Sequence, residues 1–233
     1  DLISTAEIQG YTVELLADAE LSTGYNQLYW RISKDNTPIE VQNFTATPIM
    51  HMTMMSHSCP YTQPESMTEI DQVHQSTAHF IMASGEMGYW EYQISFQTQQ
   101  DQVVEGKLDI EVASSWRLNS TQGQDGARYY FSWVSPETPK TGNQEWSIAV
   151  HKRESMMSFP AVTDAELTVY PYMDMGGGQG HSTSFESPTH NQKGHYTGTI
   201  NYSMSGVWTT QVSLTVPNDT SGVVTFEYEV RGQ

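Results

Sequence analysis

Apolar and polar residues alternate with a period of two along much of the chain, and no sustained helical period is present. The clearest run consists of the apolar residues Leu28, Trp30 and Ile32. The polar residues Gln27, Arg31 and Ser33 alternate with them. Four further segments alternate in the same way: Trp90–Phe96, Trp146–Val150, Trp208–Val216 and Val224–Val230. Small and polar residues separate these runs, for example at Asn218–Asp219, where a turn is predicted. Short strands punctuated by turns predict an all-β fold of antiparallel sandwiches.

The second half of the chain repeats the first. The matched segments lie 118 residues apart: Thr23–Lys34 with Thr141–Lys152, Gly88–Trp90 with Gly206–Trp208, and Ile110–Val112 with Tyr228–Val230. About five extra residues enter the second copy around positions 154–164, and about as many are lost later. We therefore predict two domains, residues 1–113 and 114–233, each large enough for its own core.

The aromatic content suits two immunoglobulin-like sandwiches. Six tryptophans and 13 tyrosines are available to fill the space between paired sheets. Cys59 is the single cysteine, so no intrachain disulfide can join the sheets. The prediction is thus two tandem Ig-like antiparallel β-sandwiches, related by internal duplication, without the disulfide that such domains often carry.

The charge and hydropathy of the chain limit its partners. A formal net charge of −17 repels phosphate backbones, so nucleic-acid binding is not expected. No run of 18 apolar residues is present, so no transmembrane segment is predicted. The sequence starts at Asp1 without methionine, and we expect a processed protein with a lipid anchor upstream.

The most unusual segment is Pro48–His57, which contains four methionines and two histidines. Thioether sulfur is a soft ligand and imidazole an intermediate one, a pairing that favours copper, above all Cu(I). A weaker echo lies 123 residues later, in Pro171–His181. The candidate metal ligands are Met50, His51, Met52, Met54, Met55, His57, Met173, Met175 and His181.

If a strand leads into this cluster, Met50, Met52 and Met54 project to one face. His51, Met55 and His57 are then expected on the other face. The alternative is that part of the row fills the core, because methionine packs well in irregular spaces.

Other residues near the cluster leave two interpretations open. Cys59 is either a further ligand or a buried thiol. Four later histidines either return to complete a coordination sphere or lie at the surface or at strand ends: His74, His79, His190 and His195. No nucleophile elbow, phosphate-binding loop or HExxH motif is present, so catalysis is not expected.

Each copy resembles the FixH and YtkA-like domains, small extracytoplasmic Ig-like sandwiches of bacteria. The resemblance rests on the Thr-Gly turn with its alternating strand, the Pro-x-Met-x-Met segment with a downstream histidine, and the Gly-x-Trp strand. It implies a connection with copper supply and oxidase assembly. The tandem format and the lack of a membrane-spanning segment in this sequence depart from FixH, and they argue against an assembly role.

The functional prediction is an extracytoplasmic lipoprotein, in the periplasm or at the cell surface, that binds or chaperones Cu(I). Its partner would be the metal ion or a copper-handling protein. The main alternative is a cell-surface structural or protein-interaction module without metal, in which the methionines are adaptable apolar contacts. A carbohydrate-binding module is a third alternative, and it would need tyrosine and tryptophan side chains exposed in a row.

Overall fold

The computed structural model describes residues 1–217 and 220–233, and the turn predicted at Asn218–Asp219 lies outside them. Within the described residues the regular elements are all β-strands. The chain separates into two compact units. Unit 1 comprises Asp1–Ser114 with Met156–Ser158, and unit 2 comprises Ser115–Ser155 with Phe159–Gln233.

Unit 1 contains two antiparallel sheets. Its strands are β1 (Leu2–Ile8), β2 (Tyr11–Ala17), β3 (Gly24–Lys34), β4 (Thr37–Pro38), β5 (Gln42–Met52), β6 (Ser56–His57), β7 (His74–Phe80), β8 (Gly88–Gln97) and β9 (Val103–Ile110). One sheet has the order β1-β2-β3-β4, with β7 also paired to β3, and the other has the order β6-β5-β8-β9.

Unit 2 repeats this plan. Its strands are β10 (Leu118–Gln122), β11 (Arg128–Ser135), β12 (Gly142–Lys152), β13 (Glu166–Gly176), β14 (Gln179–Ser182), β15 (Phe185–Gln192), β16 (His195–Tyr202), β17 (Gly206–Val216) and β18 (Thr220–Val230). The sheet orders are β10-β11-β12-β16-β15 and β14-β13-β17-β18. The predicted all-β fold, two tandem antiparallel sandwiches, is confirmed.

The alternating residues of each unit point between its sheets. Leu28, Trp30 and Ile32 are at most 1% exposed, and five tryptophans of the chain are fully buried. The two cores are separate clusters of apolar side chains, one in each unit. Tyr92 crosses Trp30 edge to face at 4.8 Å between ring centroids in unit 1. Aromatic packing of this kind stabilises a sandwich that lacks a disulfide.

Equivalent hydrogen bonds mark the duplication in the backbone itself. A short parallel bridge joins Ser22 to Ala113 in unit 1, and another joins Lys140 to Arg231 in unit 2. The amide of Thr23 donates to the carbonyl of Ala113, and the amide of Thr141 donates to that of Arg231, each at 2.9 Å. Both pairs are 118 residues apart, which is the spacing found in the sequence.

Candidate functional site

In unit 1, the methionine-rich segment forms the end of β5, a tight turn and the short strand β6. The amide of Met52 donates to the carbonyl of Met55 at 2.9 Å, which reverses the chain. Met50 of β5 then lies directly opposite His57 of β6 on one side and Trp90 of β8 on the other. Directly opposed residues share a face of the sheet, so these three side chains form a row that points inward.

The rings of this first row are held by specific contacts. The imidazole of His57 meets the indole of Trp90 edge to face, with ring centroids 5.5 Å apart. Nδ1 of His57 lies 2.7 Å from the carbonyl oxygen of Ser58. A ring nitrogen beside a carbonyl oxygen donates to it, so in the neutral tautomer that fits this contact Nε2 keeps the lone pair. The hydroxyl of Ser58 donates to the carbonyl of Pro48 at 2.7 Å, which fixes the hairpin.

Unit 2 builds a second row with the same contacts. Met173 of β13 pairs with His181 of β14, and His181 crosses Trp208 edge to face at 5.4 Å. Nδ1 of His181 lies 3.0 Å from the carbonyl oxygen of Ser182. The hydroxyl of Ser182 donates to the carbonyl of Pro171 at 2.6 Å. The duplication has therefore preserved the orientation of the histidine as well as its identity.

A glycine two residues before each tryptophan makes room for the methionine of the row. A Cβ atom on Gly88 would lie 3.1 Å from Cε of Met50 and only 2.1 Å from the backbone oxygen of His51. A Cβ atom on Gly206 would lie 2.5 Å from Cε of Met173. The Gly-x-Trp spacing noted in the sequence thus serves the packing of the methionine.

The opposite face of the same sheet in unit 1 carries His51. Its imidazole stacks on Tyr89 with ring centroids 5.0 Å apart, and Nε2 lies 3.2 Å from Oε1 of Glu91. The same carboxylate pairs with Nζ of Lys107 at 2.9 Å. Glu91 is 5% exposed, and its charge is balanced by Lys107. Interaction with this carboxylate is the main cause that raises the pKa of Lys107.

The end of each hairpin exposes methionine to solvent. In unit 1, the exposed fractions are 89% for Met54, 48% for Met55 and 63% for Met87 in the loop before β8. In unit 2, Met175 of the β13–β14 hairpin is 60% exposed and Met204 of the loop before β17 is 41% exposed. We call these two sets the methionine tips of unit 1 and unit 2.

The structure brings together only part of the predicted ligand set. Met50, with no exposed surface, shares the inward face with His57, so the prediction that His57 lies on the face opposite Met50 was wrong. The turn at positions 53–55 reverses the chain and changes which residues share a face. Met52 is partly buried against the core, whereas Met54 and Met55 lie at the turn and point away from it.

The remaining candidates lie apart from the tips or within the interior. Cys59 is 1% exposed, and burial raises the pKa of its thiol well above the ordinary value. His74 and His79 are both buried in β7, and neither lies at the surface. His74 is a strand end, as the second interpretation expected, with Nδ1 2.8 Å from the carbonyl oxygen of Glu65. Burial lowers the pKa of His74. His190 is exposed and His195 half-buried in unit 2.

Several residues that shape the site were not identified as functional from the sequence. Ser58 and Ser182 fix the two histidines, and Glu91 fixes His51. The serines could have been found, because each directly follows the histidine of its repeat. Glu91 offered no such signal, since it is one of many acidic residues in an alternating strand.

Two features are not found in the described part of the chain. In residues 1–217 and 220–233, no group of three or more histidine, cysteine or carboxylate side chains is arranged to hold a metal ion. No helix there is long and apolar enough to cross a membrane.

The fold and the rows define a tandem Ig-like sandwich protein with a histidine-bearing hairpin in each unit. Residues 123–213, nearly all of which belong to unit 2, match the model of the YtkA-like family. The resemblance to YtkA-like domains is therefore confirmed for the second repeat. No curated protein matches the chain.

The solved structures that the chain matches include an adhesin, an S-layer protein and a domain of intimin. The Escherichia coli adhesin FdeC is 12% identical over 98% of this chain, with a TM-score of 0.30. This chain spans 65% of the FdeC chain. Domains 5–6 of the S-layer protein SbsC are 9% identical, with 100% of both chains covered and a TM-score of 0.35. The D00-D0 domain of intimin is 9% identical, with 93% of this chain and 98% of that chain covered and a TM-score of 0.27.

Proposed function

We propose that this chain is an extracytoplasmic, non-enzymatic interaction module that contacts a protein partner through its two methionine tips. The observation that carries the proposal is the exposure of methionine at the same hairpin end of both units, with Met54 at 89% and Met175 at 60%. Single exposed apolar residues are common on any protein. Exposed methionine at the hairpin end of both units, although at different positions of the repeat, favours a contact surface on a chain with a net charge of −17.

Methionine suits this role because its side chain is unbranched, flexible and polarisable. Such side chains adapt to differently shaped partners. The turn that carries Met54 and Met55 is fixed by the Met52–Met55 hydrogen bond and by the row beneath it. A flexible contact residue on a fixed backbone orders few atoms on binding, which limits the entropic cost.

Photo-crosslinking in the native envelope tests this proposal. A photoreactive amino acid at position 54 should give a discrete adduct with one partner. The same residue at position 70 is the matched control, because Ile70 is also highly exposed, at 92%, but lies outside the tips. Equal labelling from both positions, or no adduct from position 54, would contradict the proposal.

Cu(I) binding is the second candidate function, and the recurrent rows favour it. In each row, Nδ1 of the histidine is directed to a backbone carbonyl, an arrangement that metal-binding histidines commonly have. Methionine sulfur lies beside each histidine, and sulfur with imidazole suits a soft ion. The proposed ligands remain Met50, His51, Met52, Met54, Met55 and His57 in unit 1, and Met173, Met175 and His181 in unit 2.

Titration of the apo protein with Cu(I) against a competing chelator tests the second candidate. Changing Met52, Met54 and Met55 to leucine, together with His57→Gln, should abolish binding in unit 1 if these residues hold the ion. Met156→Leu with Met157→Leu is the matched control, since both methionines are exposed and lie outside the two hairpins. Unchanged affinity after the first set of substitutions would exclude copper at this site.

The proposal has two further parts, which are the family of the first repeat and the cellular location of the protein. We propose that residues 1–113 and 114–233 are both YtkA-like domains, because the hydrogen bonds of the two rows correspond one to one. A place in the periplasm or at the cell surface, with a lipid anchor upstream, remains part of the prediction. Fractionation of the native protein with lipid labelling would decide it.

A further inference from the structure

We infer that the exposed methionines of the two tips are sites of reversible oxidation to the sulfoxide by hydroperoxides, and that this modification weakens the contact made by the tips. The first part concerns the chemistry of the side chains alone. The second part rests on the proposed function, because it concerns binding of the partner.

The exposure of methionine changes sharply over a few residues of one hairpin. Met50 has no exposed surface, Met52 is half-buried, and Met54 is 89% exposed. Oxidants in solution therefore reach one thioether freely and its neighbour four residues earlier not at all. Susceptibility follows exposure, so the same hairpin contains both the reactive residue and an internal control.

The backbone explains this gradient. Met50 faces inward because it opposes Trp90 in the ladder, and Gly88 leaves room for its methyl group. Met54 lies in the turn closed by the hydrogen bond from Met52 to Met55, beyond the last ladder pair. A residue at that point has no sheet opposite it, so its side chain remains in solvent.

The same contrast recurs in unit 2. Met173 is half-buried and packs against the core, whereas Met175, two residues later, is 60% exposed. Met204, in the loop before β17, is 41% exposed, as Met87 is exposed before β8. Each unit thus exposes methionine sulfur at the end of its sandwich that carries the hairpin.

The reaction is a two-electron oxidation of the thioether. A sulfur lone pair attacks one oxygen of the hydroperoxide, the O–O bond breaks and an S–O bond forms. The second oxygen leaves as water or an alcohol after taking a proton. The sulfur loses two electrons, the peroxide gains them, and sulfoxide reductases can reverse the change.

The fold should survive this modification whereas the contact surface should not. The tip methionines lie outside the core, so a polar sulfoxide oxygen there buries no unpaired group. An apolar, flexible contact becomes polar, which opposes its burial against a partner. Oxidation at Met50 would instead place a polar oxygen in the interior.

Peptide mass spectrometry after treatment of the intact chain with hydrogen peroxide tests the site. Met54, Met87 and Met175 should convert at least about tenfold faster than Met50, while the melting temperature stays unchanged. Met50 keeping pace with Met54, or the tip methionines staying unoxidised, would overturn the inference.

Crosslinking then tests the effect on binding. The photoreactive residue is placed at Tyr89, which is 52% exposed and beside the tip of unit 1. Peroxide should reduce the adduct, and a variant with Met54, Met55, Met87, Met175 and Met204 changed to leucine should keep it after the same treatment. If the chain without these substitutions gives an undiminished adduct after peroxide treatment, the inference that oxidation weakens the contact is wrong. Absence of any adduct before oxidation instead refutes the proposed contact, and mass spectrometry still decides the first part.

Discussion

The imidazole of His57 stands nearly perpendicular to the indole of Trp90, at 86° with 5.5 Å between ring centroids. His181 and Trp208 reproduce this relationship at 84° and 5.4 Å. Edge-to-face geometry brings the positive edge of one ring to the negative face of the other. Its preservation in two copies means that each hairpin is fixed to its sandwich core in the same way.

Truncation of Met50 should destabilise unit 1 far more than truncation of Met54. Met50→Ala removes a fully buried side chain beside Trp90, and we expect a loss of about 2–5 kcal/mol. Met54→Ala removes a side chain that is 89% exposed, and we expect a change within about 0.5 kcal/mol. Urea unfolding followed by tryptophan fluorescence measures both. Similar losses for the two variants would refute the packing described for the first row.

Gly88→Ala should be destabilising for steric reasons. The added Cβ would lie 2.1 Å from the backbone oxygen of His51, so the β5–β8 ladder must shift, at a cost of about 1–3 kcal/mol. Gly85→Ala is a matched control, because its φ of 152° is close to the 158° of Gly88 but its Cβ would meet no atom within 4 Å. A comparison of the two melting temperatures separates the steric clash from the effect of the positive φ angle. Equal decreases in the two variants would argue against the clash.

Unit 2 should lose stability in acid through His151. Burial, with a smaller contribution from the nearby His195, lowers the pKa of His151 from 6.5 to about 3. The unfolded chain therefore binds a proton below pH 6.5 that the folded chain refuses until about pH 3. Stability is fully present above pH 6.5 and falls with decreasing pH across this window, by at most about 1.4 kcal/mol per pH unit from this one group.

Denaturant unfolding between pH 7 and pH 4 measures this slope. His151→Gln should reduce it. An identical pH dependence in both proteins would show that His151 does not stay neutral in the fold.

The thiol of Cys59 should be unreactive in the folded protein. It is 1% exposed and its pKa is raised well above the ordinary value, so the reactive thiolate is scarce and inaccessible at neutral pH. A maleimide reagent should label it only after unfolding, with labelling in urea following the loss of tryptophan signal. Rapid labelling without denaturant would show that this thiol is accessible at the surface and would support Cys59 as a metal ligand.

Much of the fold could be predicted because burial dictates alternation. Residues such as Trp30, which must lie between two sheets, alternate with residues that face solvent, and the sequence displays this directly. The repeat spacing was visible for the same reason, because Gly88–Trp90 and Gly206–Trp208 perform the same packing role. These features depend on local pattern, which a single sequence contains.

The arrangement of the site depended on information that local pattern lacks. The face of His57 could not be assigned without knowing that the chain reverses between Met52 and Met55, since a turn resets the alternation. The pairing of His51 with Glu91 joins residues 40 positions apart across two strands. Their contact follows from the register of the sheet, which the sequence specifies only through the whole fold.

The bridges Ser22–Ala113 and Lys140–Arg231 close each unit upon itself, because the last strand of a unit returns to hydrogen-bond beside its own early turn. A copied segment of this length therefore brings with it every backbone partner that the bridge requires. Such a gene segment can be multiplied into longer arrays while the earlier copies keep their internal bonds, and each copy is then free to change its tip.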